Sequence, residues 1–345
     1  MMRQRALLRR AAWLWTMAAV LSGGCAATAP PPQTQLRELA TQCLRNGARL
    51  ANRPDVRSMA TEAIARVLKN EAPLVLREAL KDEHPVVRFT ACMGLGELNS
   101  VDAKDVVRPL LDDPSGSVKV AAYFALERMG DTSHRLAWRD AVTSAEDPAV
   151  RRNAVTALGR LKDKKVCALL WKAAAGDSDE GVRIQAVESL AYLGDAQAIS
   201  RLIHDAYGGL AFKQPFSLLA LGHVKDDRVI PALRARLAGA QYLEARLAAA
   251  RSLGMQGLAD GYNLAVQSLD WNQPRSDLPD DPPVNQIMRV RMMATLALGD
   301  IGKREALGPL TQVMKNPDDE RIQVAAATSI LMILNAEEAR PWAGR

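Results

Sequence analysis

The amino-acid sequence predicts an all-α protein made of about nine stacked helix pairs. A segment of about twelve residues recurs nine times along the 345-residue chain. Within each copy, apolar residues fall at offsets 0, 4, 8 and 11, which is the spacing of one face of an α-helix. Only 4% of the residues are aromatic, whereas the cores of β-sheets depend on aromatic and β-branched side chains. Together these observations favour helices over strands.

The recurring segment can be read directly from the sequence. Residues 150–161 (VRRNAVTALGRL), 182–193 (VRIQAVESLAYL) and 290–301 (VRMMATLALGDI) are clear copies. Successive copies begin 31 or 32 residues apart, except for one step of 45, and the interval leaves room for a second helix. Because one helix pair cannot bury its apolar face alone, neighbouring pairs must stack. The second residue of the nine copies is, in order, Arg57, Arg88, Lys119, Arg151, Arg183, Gln214, Arg246, Arg291 and Gln323.

The first 25 residues have the pattern of an export signal. Four arginines lie within the first ten residues, eleven uncharged residues follow at 11–21, and small residues lead to Cys25. A basic start, a short apolar stretch and a small-residue exit are typical of a secretory signal peptide, so we predict one at 1–24. The apolar stretch is shorter than the roughly 20 residues that a bilayer-spanning helix needs.

Cys25 and its surroundings resemble the lipobox of bacterial lipoproteins, in which the cysteine becomes the lipidated first residue of the mature protein. Ser22 stands where that motif usually has Leu, so an ordinary cleaved signal and an uncleaved anchor stay open as alternatives. Residues 25–34 are rich in proline and should form an extended tether. The resemblance implies an exported protein facing the periplasm, on the outer rather than the inner membrane, because Ala26 and not Asp follows the cysteine.

The charge of the chain does not suggest a nucleic-acid partner. The net charge is +6, and four of the positive charges are the arginines of the predicted signal, which leaves about +2 for the remainder. Nucleic-acid binding needs a clustered basic face. The repeats carry no such cluster beyond Arg151, Arg152 and Arg160.

The repeats resemble the HEAT superfamily, in particular the short repeat of about 30 residues that also occurs in phycobilin-lyase-type proteins. The resemblance covers residues 35–335 and implies a right-handed α-α superhelix, with an insertion at 270–286 and a tail at 336–345. At the usual distances between packed helices, nine pairs would form an arc roughly 70–90 Å long.

In this family an acidic column and an arginine column form ladders between adjacent repeats. Asp147 with Arg151, and Asp179 with Arg183, match that pattern, whereas Lys119 departs from it, as do the two glutamines of the column. The residues expected in the ladder are Arg57, Arg88, Asp147, Arg151, Asp179, Arg183, Arg246 and Arg291.

The sequence contains no pattern that points to catalysis or metal binding. The four histidines are far apart, and no HExxH, CxxC, GxSxG or Gly-rich phosphate motif occurs. Cys43, Cys92 and Cys167 form no closely spaced pair, and we expect them to be reduced thiols. We therefore expect a protein that is not an enzyme and that holds no cofactor or metal.

The second helices of the pairs supply a first candidate binding surface, because in this family they line the concave side. Side chains at offsets 2 and 6 should point partly outward, and they form an apolar stripe with a polar centre. Exposed apolar patches commonly mark protein-binding sites; the alternative is that these side chains pack against the adjacent repeat. The candidate groove residues are Phe89, Met93, Phe124, Arg152, Arg160, Tyr192, Arg251, Met292 and Leu296.

The insertion at 270–286 is a second candidate surface. It holds four prolines, four aspartates and Trp271, so it cannot continue a helix. Insertions in solenoids often map to the binding face, and Trp271 is the candidate anchor. The alternative is a tolerated surface loop.

Taken as a whole, the sequence predicts an envelope lipoprotein that acts as a scaffold or adaptor for a protein or peptide partner. Two alternatives stay open. One is a phycobilin-lyase-like or other catalytic HEAT protein, and the other is a cytosolic HEAT-repeat binding protein.

Overall fold

The computed structural model describes residues 32–208, 213–275, 280–316 and 318–339. In these residues, the repeats with helical apolar periodicity form eighteen α-helices. These residues contain no β-strand, so the predicted all-α class is confirmed for them. The predicted signal peptide, Cys25, most of the tether and the end of the tail lie outside the described residues.

The helices form nine pairs, as the repeat pattern predicts. The first helices are α1 (Gln33–Gly47), α3 (Ala72–Ala79), α5 (Lys104–Val107), α7 (Arg135–Thr143), α9 (Cys167–Gly176), α11 (Ala196–Tyr207), α13 (Val229–Gly239), α15 (Tyr262–Gln267) and α17 (Leu307–Lys315). The second helices are α2 (Pro54–Val67), α4 (Pro85–Glu97), α6 (Gly116–Arg128), α8 (Pro148–Arg160), α10 (Glu180–Tyr192), α12 (Lys213–Leu221), α14 (Leu243–Met255), α16 (Pro283–Ile301) and α18 (Glu320–Ala339). Short 3₁₀ segments flank α5 and precede α9 and α17.

Local sequence signals set the ends of the second helices. The Asp147 carboxylate accepts a hydrogen bond from the Ala149 N–H at 2.8 Å, and Asp179 accepts one from the Val182 N–H at 2.9 Å. Both contacts satisfy free N–H groups of a first helical turn. Six of the second helices are followed by a residue with left-handed backbone, a common way to end a helix. These residues are Asn99, Gly130, Lys162, Gly194, Gly257 and Gly302.

The two helices of each pair lie in different layers. From α2 to α18, every second helix packs against the second helix of the next pair, whereas adjacent first helices touch little or not at all. Of two concentric layers of helices, the one in which neighbouring helices stay in contact has the smaller circumference. The second helices therefore form the inner, concave layer, as the family resemblance implied, and the first helices form the outer layer.

The array closes into a ring, because its last inner helix packs against the first helix pair. α18 contacts both α1 and α2, as an inner helix elsewhere contacts the pair that follows it. Across this seam, Arg37 Nη1 donates to Asn335 Oδ1 at 2.7 Å, and Arg53 Nη1 lies 2.7 Å from Glu320 Oε2. The expected open arc is therefore wrong for the described repeats, whose first and last members meet.

A column of glycines explains how the inner layer can curve so strongly. A Cβ atom on Gly159 of α8 would lie only 2.6 Å from the Cβ of Ser189 on α10. Ser189 Oγ also donates to the Val155 carbonyl at 3.1 Å, which ties the two helices together. This close approach occurs near the C-terminal ends of the inner helices and draws those ends toward each other. The glycines at this position are Gly96, Gly159, Gly222, Gly254 and Gly299.

Closure also hides the apolar faces that terminal repeats of an open solenoid would expose. Leu36, Ala40 and Leu44 of α1 are at most 1% exposed, and Val324 of α18 is 3% exposed. A Cβ atom on Gly47 would lie 2.9 Å from Cγ2 of Val324, so α1 and α18 are in direct contact. The terminal pairs are thus packed like internal ones.

Ion pairs join several repeats, but not through the acids that the resemblance implied. In each ion pair, an arginine of one inner helix reaches the aspartate that lies six residues before the next member of the column, which is Arg88, Lys119 or Arg183. Asp147 and Asp179 lie only four residues before it, and both accept from N–H groups of their own helices instead. Their expected place in the ladder is wrong, because capping turns their carboxylates toward their own backbone. The ladder pairs are Arg57–Asp82, Arg88–Asp113 and Arg151–Asp177, each with 2.8 Å between Nε and Oδ2.

The arginine column has a more general role, which is to fasten the turn between the two helices of its own pair. Arg183 Nη1, for example, donates to the Asp177 carbonyl at 2.7 Å. Gln214 makes the same kind of contact with the Gly208 carbonyl at 2.6 Å, although it departs from the arginine pattern. Such bonds, to a carbonyl in the turn or in the last turn of the first helix, come from Arg57, Arg88, Arg151, Arg183, Gln214, Arg246, Arg291 and Gln323.

Candidate functional site inside the ring

The C-terminal halves of the inner helices bring polar side chains of different repeats together. Six of these side chains lie ten residues after the first residue of their copy, and Arg251 lies six residues after it, one helical turn earlier. We call this set the central cluster. It consists of Arg66, Glu97, Arg160, Tyr192, His223, Arg251 and Asp300.

Contacts within the central cluster join helices that are not neighbours in the ring. Arg160 of α8 forms an ion pair with Glu97 of α4, so this pair spans α6. Arg66 Nη2 of α2 lies 2.8 Å from Asp300 Oδ1 of α16, so this pair spans α18. Side chains can reach across an intervening helix only where the helices converge. The ring is therefore narrow at the C-terminal ends of its inner helices.

Asp300 is the most enclosed charge of the cluster. Its side chain is 4% exposed and accepts hydrogen bonds from two arginines, Arg66 Nη2 and Arg251 Nε, each at 2.8 Å. Two cations share one anion, which leaves one net positive charge at this point. The three residues come from α2, α14 and α16, so they also bind separate parts of the ring together.

Tyr192, at the end of α10, forms an aromatic pair with His223, which lies two residues after the end of α12. Their ring centroids lie 5.5 Å apart in an edge-to-face arrangement, and both side chains are exposed. Burial nevertheless raises the pKa of Tyr192 to about 12, helped by the charge of Glu188. Burial also lowers the pKa of His223, and the nearby Arg251 lowers it further. Side chains that touch solvent yet are crowded in this way lie in a hollow rather than on a ridge.

Glu188 lies one turn before Tyr192 on α10. Its carboxylate accepts a hydrogen bond from Gln185 Nε2 at 2.9 Å. Burial raises the pKa of Glu188 to about 7, and the hydrogen bond only partly offsets that rise. At neutral pH this carboxyl group is therefore divided between its protonated and ionised forms.

The central cluster is suited to polar recognition. Arginine and histidine N–H groups, a phenol and carboxylates lie in one hollow, and five of the seven residues are exposed. Most of the charges are already paired with each other, so they hold the hollow in shape. Within the described residues, no group of three or more His, Cys, Asp or Glu side chains is placed to hold a metal ion.

The structure separates the predicted groove residues into two groups. Met93 and Phe124 are 5% and 0% exposed, so the expectation that they line a groove is wrong. Phe124 packs beside Gly96, where a Cβ atom would lie 2.8 Å from its ring, and it fills the space between two inner helices. The other members remain accessible: Arg152, Arg160 and Tyr192 are exposed, and Phe89, Arg251, Met292 and Leu296 are half-buried.

Sequence reasoning missed Arg66, Glu97, His223 and Asp300 as parts of the site. The signal that could have found them is their shared position, ten residues into each copy of the repeat. The pattern of a single helix does not reveal this set, because these side chains meet only across the ring. Glu188 was missed for the same reason.

The insertion is tied to the body of the ring where the structure describes it. Trp271 is half-buried against the core, and its carbonyl accepts a hydrogen bond from Arg291 Nε at 3.0 Å. Gln286, 5% exposed, accepts from the Arg275 N–H at 3.0 Å and donates to the Arg275 carbonyl at 2.9 Å. Trp271 thus contributes to packing as well as being the predicted anchor; residues 276–279 lie outside the description.

The three cysteines of the ring are free and shielded. Cys92 is buried, and Cys43 and Cys167 are half-buried. Burial raises the pKa of Cys43 to about 11 and raises the pKa of Cys92 and Cys167 as well. The thiols are therefore poor nucleophiles at neutral pH. Among the helices that the structure describes, none has the length and apolar character needed to cross a membrane.

A family comparison agrees with the helical repeats of this chain. The family of HEAT repeats matches residues 41–127, 105–191 and 135–206. Human deoxyhypusine hydroxylase in complex with glycerol is similar in structure at 18% identity, with a TM-score of 0.39, covering 79% of this chain and 99% of that one. The complex of CpcE and CpcF of phycocyanin lyase from Nostoc sp. PCC7120 is similar at 21% identity, with a TM-score of 0.34, covering 75% of this chain and 94% of that one. No curated protein sequence matches the chain.

Proposed function

We propose that this chain, whose residues 41–206 match the family of HEAT repeats, is a scaffold that holds a protein or peptide partner against the inside of its ring. The observation that carries the proposal is the central cluster, in which seven side chains from seven different repeats meet in one accessible hollow. A surface assembled from so many separate repeats is large, and it offers charges of both signs together with an aromatic pair.

The role that we propose is binding rather than catalysis. Asp300 is held between two arginines, and Arg160 is paired with Glu97, so these charges are engaged in holding the ring. A general base or nucleophile would need to be free to approach a substrate. Interfaces with proteins use the groups found here, since arginine and tyrosine are enriched among the residues that dominate binding.

We further propose that the ring is tethered to the periplasmic side of a bacterial membrane through lipid on Cys25. The support is the sequence pattern of residues 1–25 and the proline-rich stretch that follows it. Radiolabelled palmitate should be incorporated into the full chain and not into a Cys25→Ala variant. Equal labelling of both, or none of either, would remove the anchor from the proposal without affecting the ring.

Site-specific photocrosslinking tests the binding role. A photoreactive benzophenone amino acid would replace Tyr192 inside the ring or, as a control, Leu74 on the outer helix α3, which is 68% exposed. We expect discrete crosslinked protein bands in cells from position 192 and none, or different ones, from position 74. If position 192 yields no crosslinked protein while position 74 does, the inside of the ring is not the binding surface.

A further inference from the structure

A cleft on the outside of the ring has the features of a second binding site. It lies between α7 and α9, has a volume of about 580 Å³, and includes residues of α8 in its lining. This size falls within the range of sites that hold small ligands or short peptide segments. Its lining includes Trp138, Leu158, Leu161 and Leu169, which supply an apolar floor.

Four cationic and three acidic side chains surround this floor. Arg139, Lys165 and Lys172 line the cleft and are exposed. None of them forms an ion pair within the residues that the structure describes. Asp163, on the same rim, accepts a hydrogen bond from the Lys165 N–H at 2.9 Å and is thus engaged in capping. The rim therefore presents cations that lack anionic partners.

Two polar atoms in the lining are shut off from solvent and have no hydrogen-bond partner: Trp138 Nε1 and Glu127 Oε2. Trp138 is 3% exposed, and the other face of the Glu127 carboxylate is held by Arg135, whose Nη2 lies 2.8 Å from Oε1. A buried polar group without a partner is unfavourable, because it has given up its hydrogen bonds to water. One unused donor and one unused acceptor suit a ligand that offers both, as a peptide group does with its C=O and N–H.

We propose that this cleft binds an acidic peptide segment of a partner protein, with an apolar side chain on the floor and carboxylates beside Arg139, Lys165 and Lys172. The cleft would be a second binding surface of the scaffold, so the proposal rests on the scaffold function but not on the inside of the ring. A bilayer surface is flat and would leave the floor of the cleft unfilled. A nucleic acid would carry a continuous row of phosphates past Glu127, Asp140 and Asp163, whereas a peptide can place its few carboxylates beside the cations alone. An acidic peptide matches the floor, the rim and the two unpartnered atoms together.

Selection of displayed peptides on the full chain tests this proposal. Random 12-residue peptides on phage would be selected, and the enriched ones synthesised with a fluorescent label for anisotropy titrations. We expect the enriched sequences to combine an apolar residue with Asp or Glu. Their affinity should fall at least tenfold in an Arg139→Ala/Lys172→Ala variant. It should not change in a Lys69→Ala/Lys81→Ala control, which removes two exposed lysines elsewhere.

A Trp138→Phe variant separates binding from folding. Loss of the unpartnered indole N–H should leave the ring at least as stable in urea as the unaltered chain, but should weaken peptide binding several-fold. Peptides that bind the Arg139→Ala/Lys172→Ala variant as tightly as the unaltered chain would overturn the proposal. If their binding instead depends on Tyr192, the scaffold function would stand and the cleft would not. Binding of phosphatidylglycerol vesicles that is lost in the same variant, without any enriched peptide, would assign the cleft to a membrane.

Discussion

The Asp300 side chain of α16 links three inner helices, because it binds arginines of both α2 and α14. Its carboxylate holds Arg66 and Arg251 at 2.8 Å each and is almost fully buried. In an Asp300→Asn variant the two guanidinium groups would face each other without an anion. We expect the free energy of unfolding to fall by about 2–3 kcal/mol, the usual cost of losing hydrogen bonds to a charged group in a buried position. Urea titration followed by circular dichroism measures this.

Glu97→Gln is the matched control for that change. The Arg160–Glu97 pair also spans a helix, but its side chains are 41% and 48% exposed. Solvent screens an exposed pair, so we expect a loss of at most about 1 kcal/mol. If both variants lose the same free energy, enclosure of Asp300 is not what makes its contacts important.

Glu188 should make the stability of the ring depend on pH. Its pKa is about 7 in the folded chain and about 4.3 in an unfolded one. Between those values the folded state keeps a proton that the unfolded state has lost, so the free energy of unfolding falls as pH rises toward 7 and then levels off. A Glu188→Gln variant cannot ionise. We expect its stability relative to the unaltered chain to increase from pH 5 to pH 8 in urea titrations.

Glu180→Gln serves as a control of opposite sign for the Glu188 prediction. The hydrogen bond from Lys213 lowers the pKa of Glu180, so its contribution is present above the ordinary pKa and is lost in acid. We expect this variant to be slightly less stable than the unaltered chain at pH 8, and we expect the difference to shrink as the pH falls into the acid range. A relative stability of Glu188→Gln that does not change between pH 5 and pH 8 would contradict the burial of that carboxyl group.

At the scale of single residues, the sequence predicted positions better than burial. Of two residues at offset 2, Arg152 is exposed, whereas Phe89 is half-buried and packs against the core. The expectation that offsets 2 and 6 point outward is wrong for Phe124, because Gly96 on the preceding inner helix leaves space for its ring. Burial of an offset therefore depends on the facing residue of another repeat, which a helical pattern alone does not contain.

At the scale of helices, the close packing of the inner layer gives a sharp prediction for Gly159→Ala. Alanine favours a helix over glycine by about 1 kcal/mol. Its Cβ, however, would lie 2.6 Å from the Cβ and 2.9 Å from the Cα of Ser189. Since the backbone of α10 would have to move, we expect a net loss of about 1–3 kcal/mol in the free energy of unfolding.

Gly308→Ala tests the same substitution without the crowding. Gly308 lies in α17, and a Cβ there would meet no atom within 4 Å. We expect a gain of about 0.5–1 kcal/mol in chemical denaturation, because alanine loses less backbone freedom on folding. A stabilising effect at both positions would show that the inner helices have room to separate.

The ladder illustrates what helix-level patterns can and cannot predict. The arginine column was evident from the 31- and 32-residue spacing, and its residues do fasten each turn. The prediction of Asp147 and Asp179 as ladder acids is wrong, because an aspartate at the start of a helix accepts hydrogen bonds from the free N–H groups of that helix. Asp177, two residues before Asp179, faces the preceding repeat and pairs with Arg151. The choice between two nearby acids depends on the direction of the turn.

At the scale of the whole ring, closure depends on the sum of many small rotations. Nine repeats that complete a circle turn by about 40° each, because the curvature of a solenoid accumulates from its per-repeat rotation. The sequence fixes neither that angle nor its regularity, although the glycine column indicates close packing. The sequence therefore predicts the number of repeats, which its spacing shows directly. It does not predict that the first and last repeats meet, because that depends on the rotation angle.

Circular permutation tests the closed ring directly. Gln33 Nε2 donates to Glu337 Oε2 at 3.0 Å, so residues near the two ends of the described ring are adjacent. A linker of six Gly and Ser residues, which spans at most about 20 Å, should join residue 339 to residue 33. New termini would be placed in the turn after Gly130, which is exposed.

The permutant should have the circular dichroism spectrum of the linear 33–339 chain and melt in a single transition within a few degrees of it. In an arc of roughly 70–90 Å, such a linker could not reach, and the seam partners Arg53 and Glu320 would lie far apart. A permutant that loses helix content or melts in two separate steps would contradict closure. The linear 33–339 chain, cut at the same residues but without the linker, shows whether removing the flanking segments alone has any effect. Closure gives each terminal pair a second neighbour. The ring should therefore stay folded when the chain is cut after Gly130, whereas an open solenoid of nine repeats would not tolerate that cut.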